Sequence, residues 1–71
     1  MEEDTLSIIV NGEKRLVPAG ISVAGLAAEL GLDPARVAVE RNLAIVPRST
    51  LGDVAVEESD EYEIVHFVGG G

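Results

Sequence analysis

Apolar and polar positions alternate near both ends of this chain and follow a helical period between them. Thr5-Leu6-Ser7-Ile8-Ile9-Val10 is rich in β-branched side chains and places Leu6, Ile8 and Val10 on one face of a strand. Asn11-Gly12 follows, and both residues tolerate the positive φ of a type I′ turn, so a hairpin is expected. Glu13 to Val17 is the return strand, closed by Pro18, which has no N–H for a ladder. Val23, Leu26, Ala27 and Leu30 then fall at i, i+3, i+4 and i+7, one apolar stripe of a helix. Ser22 suits its N-cap, Gly31 the left-handed position after its last turn, Leu32 the accompanying apolar contact, and Pro34 bars continuation. Gly25 weakens the first turn by about 1 kcal/mol relative to Ala, or else permits close approach to the sheet.

The second half returns to period two. Arg36 to Glu40 alternates, with Val37 and Val39 on one side, and Arg41-Asn42 reads as a turn into Leu43-Ala44-Ile45-Val46. Pro47 ends that run. Ser49 to Asp53 suggests a short irregular or helical turn around Leu51, and Val54 to Val56 a brief edge strand. Glu57-Glu58-Ser59-Asp60 reads as a solvated turn before a final strand from Glu61 to Val68. A hairpin, one helix on one face and two or three further strands make an α+β layout. With the first and last strands parallel at the centre, this is the ubiquitin-like β-grasp, a mixed sheet of four to five strands. Residues 1–68 are expected to form that domain and residues 69–71 a flexible glycine tail.

Composition narrows what such a domain can do. The 71 residues carry a formal net charge of −8, and the only aromatics are Tyr62 and Phe67, so the core must be aliphatic. A domain of this size buries about 60% of its unfolded surface, which leaves little stability in reserve. Without cysteine there is no disulfide framework, thiol nucleophile or thiolate metal site, and the lone His66 gives no histidine cluster, so no metal or bound cofactor is expected. The acidic charge repels phosphate backbones, and two aromatics build no base-stacking platform, so nucleic acid is not an expected partner. No apolar run reaches the roughly 20 residues of a membrane span, and Met1-Glu2-Glu3-Asp4 is acidic where a signal peptide is basic. The expectation is a cytoplasmic protein, monomeric when alone, that acts through partners.

Gly69-Gly70-Gly71 is where chemistry is expected. The glycines follow the last strand with no polar spacer, and a side-chain-free thread can be drawn through a narrow channel in a partner enzyme. A terminal carboxylate is a poor electrophile until an ATP-dependent partner converts it to an acyl-adenylate that a sulfur or nitrogen nucleophile can attack.

Val39-Glu40-Arg41-Asn42, Ile45-Val46-Pro47-Arg48 and the ending Glu63-Ile64-Val65-His66-Phe67-Val68-Gly69-Gly70-Gly71 closely resemble the ThiS family, the sulfur carriers of bacterial thiamine biosynthesis. The resemblance extends over nearly the whole chain, including the Asn-Gly hairpin and the single helix. It implies that Gly71 is the reacting residue, adenylated by an E1-like enzyme of the ThiF type using MgATP. Its carboxylate then becomes a thiocarboxylate, with sulfur drawn from cysteine through a desulfurase and passed to a thiazole synthase of the ThiG type. Gly70 matches the second position of the family's diglycine, and Gly69 is an additional glycine in the thread. On this reading the protein is no enzyme but a co-substrate of its partners.

Alternation in the last strand puts Glu63, Val65 and Phe67 on one face, and Tyr62, Ile64, His66 and Val68 on the other. A carboxylate is rarely buried, so the Glu63 face is expected outside, leaving Val65 and Phe67 as an exposed partner-binding patch beside the tail. The alternative is that the strand twists or its end leaves the sheet. His66 is expected as a packed or half-exposed side chain rather than a base. Arg41, Arg48 and the acidic Glu57, Glu58, Asp60 and Glu61 are expected to be solvated, with partner contact as the alternative. Competing functions are a carrier for molybdopterin synthase or tRNA thiolation, and a β-grasp binding or regulatory module without tail chemistry.

Overall fold

The computed structural model describes residues 4–68. Strand β1 (Thr5–Val10) turns through Asn11 and Gly12, at φ 51° and 86°, into β2 (Glu13–Pro18). The helix α1 spans Val23–Glu29, and a 3₁₀ turn, Pro34–Arg36, leads into β3 (Val37–Arg41). After β4 (Ala44–Val46) comes a second 3₁₀ turn, Arg48–Thr50, and the last strand, β5, is Glu61–His66. The sheet order is β2-β1-β5-β3-β4. β5 lies in the middle, parallel to β1 and antiparallel to β3, and both hairpins are antiparallel. This is the expected α+β grasp, with five strands where four to five were expected.

One face of the sheet is covered by α1. Ile8, Val10, Val17, Val37, Val39, Tyr62 and Ile64 join Val23, Leu26 and Ala27 of the helix in one buried cluster, closed by Leu51 and Val56. A seven-residue helix is too short to persist alone, so this packing sustains it. Its ends are satisfied as the residue types predict. The Ser22 hydroxyl accepts the Gly25 amide at 3.0 Å, while Val23 and Ala24 donate to the carbonyls of Val54 and Leu51. At the other end, Gly31 (φ 80°) donates to Ala28 and Leu32 to Ala27, the paired bonds of a Schellman motif.

Four local expectations need correction. Val54 to Val56 is no strand: only Ala55 bridges, to Ser22, because the segment's backbone is used at the entrance to α1. Leu43 does not open β4 but shares a turn with Asn42, at φ 72° and 51°, and is 91% exposed. A Cβ on Gly25 would lie 2.8 Å from Cγ1 of Ile21, so the close approach there is to the preceding loop rather than the sheet. The last strand stops at His66, leaving Phe67 and Val68 beyond it.

Candidate functional site

β5 carries the candidate site at its C-terminal end, so what fixes this strand positions the site. β1 pairs with it only through Ile9 and Val10, where Ile9 donates to Asp60 and Asn11 to Tyr62. The Asn11 side chain then takes over from the backbone. Its Nδ2 donates to the Ile64 carbonyl at 3.1 Å and its Oδ1 accepts the Ile64 amide at 2.8 Å. One residue thus serves the positive-φ turn and extends the ladder along β5.

Just before β5, Asp60 is buried, 5% exposed, and accepts four hydrogen bonds. Arg41 Nε (2.8 Å), the Glu57 amide (2.9 Å) and the Tyr62 hydroxyl (2.8 Å) converge on Oδ2, and Asn42 Nδ2 (3.1 Å) reaches Oδ1. Burial alone would raise the pKa of this carboxyl. The bonds from Arg41, the Glu57 amide, Tyr62 and Asn42 outweigh it and hold the group down at about 2. Burial pushes the Tyr62 phenol up, and its bond to Asp60 pushes it further. The hydrogen bond to Asp60 likewise raises Arg41. Asn42 also accepts the Glu61 amide through Oδ1 at 2.9 Å, so the β3–β4 turn is latched to the start of β5. Asp60 is therefore not part of a solvated turn, and Arg41 is held within the protein.

The opposite end of β5 is open. Cross-strand partners share a face, so the registers put Ser7, Ile9, Lys14, Leu16, Ala38, Glu40, Ile45, Glu61, Glu63 and Val65 on the side away from α1. Val65 is 56% exposed opposite Ala38, and Phe67 is 47% exposed just past the strand, its amide donating to Arg36 at 2.8 Å. Leu16, Ile45 and Val68 are exposed as well. A groove of about 300 Å³ runs along this face between Ala38, Glu40, Ile45, Arg48, Glu63 and Val65.

Val65 thus lies where alternation predicted, whereas Phe67 and Val68 are exposed because the end of the strand leaves the sheet, the alternative reading. Gly71, expected to react, and Gly69 and Gly70, expected to thread a channel, lie outside the described residues. His66 is half-buried, and its Nε2 is enclosed without a hydrogen-bond partner. That nitrogen is not presented to solvent as a base would be. Two features escaped the sequence reading. Asp60 was hidden in an acidic run, although Arg41-Asn42 upstream and Tyr62 two residues on were the signals of a polar hub. Ile45 joins the open face because β4 alternates in register with β3, a relation that requires knowing the pairing.

No helix among the described residues is long and apolar enough to cross a membrane. Comparison with known proteins places the chain in context. The model of the ThiS family matches residues 4–71. A thiazole synthase of Paramagnetospirillum magneticum is 50% identical over 66 residues, and one of Magnetococcus marinus 48% identical over 66 residues. Each match covers 93% of this chain but 20% of the relative, so the chain spans about a fifth of those proteins. The uncharacterized protein ycf40 of Pyropia yezoensis is 32% identical over the full length of both chains. Among solved structures, the thiamine biosynthesis protein ThiS of Geobacter metallireducens superposes with a TM-score of 0.75 at 28% identity, covering 93% of this chain and all of that one.

Proposed function

Because this chain belongs to the ThiS family, we propose that it is a sulfur carrier for thiazole formation in thiamine biosynthesis. The observation that carries this reading is the way β5 delivers the chain to its last residues. The central strand, clamped at its start, runs out beside an exposed apolar patch and continues into Gly69-Gly70-Gly71. The carboxylate of Gly71 attacks the α-phosphate of ATP in an adenylating enzyme of the ThiF type, forming the acyl-adenylate and releasing pyrophosphate. A persulfide charged from cysteine by a desulfurase then attacks the acyl carbon and displaces AMP. A second thiol cleaves the resulting acyl disulfide at its S–S bond, leaving the thiocarboxylate that donates its sulfur to a thiazole synthase. Gly69 and Gly70 present no side chain to the channel through which the tail passes.

Val65 and Phe67 form the contact that seats the carrier on the adenylating enzyme. The match to a fifth of two thiazole synthases supports a shared task for carrier and synthase. The protein supplies the reacting carboxylate, while its partners supply MgATP, sulfur and the catalytic groups. The experiment is intact-mass spectrometry after incubation with a ThiF-type enzyme, MgATP, cysteine and a desulfurase. The expected mass gain is the difference between one sulfur and one oxygen atom, localised to Gly71. An unchanged mass, with the enzyme active on another carrier, overturns the proposal.

A further inference from the structure

The open face holds an arrangement that costs the free protein stability. Glu40 and Glu63 are direct cross-strand partners on β3 and β5, both exposed and on the same side. Like charges in that position repel. None of the chain's five basic residues pairs with them. Arg41 is committed to Asp60 and Glu57, and Arg36 lies 3.7 Å from Asp33. Lys14 and Arg15 stand on β2, separated from β5 by β1. Arg48 lines the same groove as the two glutamates but forms no ion pair with either. Nor is the pair a metal site, because no three His, Asp or Glu side chains converge among the described residues.

The surroundings say what fits. Ile45 faces Glu40 across β3–β4, and Val65 lies two residues beyond Glu63, so the carboxylates are flanked by exposed aliphatic side chains. A partner covering those side chains removes water from around the glutamates and strengthens any charge pairing there. A second copy of this chain would bring the same carboxylates and a net charge of −8, so a homodimer through this face is disfavoured. Resting on the carrier reading above, we infer that Glu40 and Glu63 together receive one cationic side chain, an arginine or lysine, from the adenylating enzyme. Aliphatic residues beside that cation cover Ile45 and Val65. The repulsion within the free carrier becomes a determinant of docking.

The test compares the full chain with its E40Q/E63Q variant, using E29Q at the end of α1 as a charge control. Affinity for a ThiF-type enzyme is measured by calorimetry at low and moderate salt, and thermal midpoints are recorded for the free proteins. E40Q/E63Q is expected to raise Kd about tenfold or more at low salt and to flatten the salt dependence. Its thermal midpoint stays level or rises, and E29Q binds like the wild type. Equal affinity of E40Q/E63Q and wild type overturns the inference, as does a lowered midpoint, which would make the pair structural. Weakened binding to a thiazole synthase alone also overturns it. In each of these cases, thiocarboxylate formation by the wild type leaves the carrier reading intact. If the wild type neither binds nor gains sulfur, the carrier reading itself falls.

Discussion

Where β5 begins, Asp60 and Tyr62 are buried, and four donors converge on one carboxylate. Where it ends, Val65, Phe67 and Val68 are exposed, and the Phe67 amide donates to Arg36 in the 3₁₀ turn that leads into β3. The same strand is thus anchored at one end and presented at the other. A carrier needs both, because the tail can be offered to a partner only from a base that does not move. Changes at the start of β5 should therefore destabilise the domain, and changes at its end should spare the fold and weaken docking.

The largest effect is expected from Asp60→Ala. It strands the Arg41 guanidinium, the Tyr62 hydroxyl and the Glu57 amide together. Removing one member of a buried ion pair on this scale costs about 3 kcal/mol. That is a large part of the roughly 4–10 kcal/mol expected for a domain of this size, and urea unfolding measures it. A loss below about 1 kcal/mol would mean that the network does not anchor β5.

Acid sharpens the same point without a mutation. The carboxyl titrates at about 2 in the fold against 3.8 as its ordinary value. The unfolded chain therefore takes up this proton first as pH falls. The contribution of about 2 kcal/mol is complete above about pH 4 and is lost as pH falls toward 2. Urea midpoints measured across that range should decline more steeply for the wild type than for Asp60→Asn. Parallel curves would place the titrating group elsewhere.

Tyr62→Phe makes a smaller cut. It removes one hydroxyl from Asp60 and leaves the ring packed in the core, so a loss of about 1 kcal/mol is expected. The remaining three donors should keep the Asp60 carboxyl below its ordinary range, which NMR titration of the variant would read directly.

How much of this was legible follows from the range of the interactions. The hairpin and the helix with both its ends are set by local periods and turn residues, visible at Asn11-Gly12, Ser22 and Gly31, whereas the parallel pairing of the first and last strands was expected from the order of the elements. The exposure of Val65 followed from simple alternation beside Glu63, whereas Phe67 is exposed because the chain leaves the sheet after His66. Asp60 was misread because its partners Arg41 and Asn42 are 19 and 18 residues away, and no local rule joins an acidic turn to a distant one. Leu43 misled because an apolar residue at positive φ mimics a strand residue in the pattern while the backbone turns. The short edge strand expected over Val54 to Val56 failed for a third reason. Its backbone groups are taken by the amides of α1 and the carbonyl of Ile21, a demand that hydrophobic alternation does not reveal.

The smallest effect on folding is expected at the exposed end, from Phe67→Ala. Nearly half of the side chain is already in water, and its backbone bond to Arg36 survives the substitution, so stability should change by about 0.5 kcal/mol or less. Affinity for a ThiF-type enzyme should nevertheless fall about tenfold or more, since a large aromatic side chain on an apolar docking patch is a frequent site of concentrated binding energy. Urea unfolding and calorimetric titration on one preparation give both quantities. Unfolding together with unchanged residual affinity would invert the comparison, because Phe67 would then belong to the anchor and the presented surface would have to be sought elsewhere on the open face.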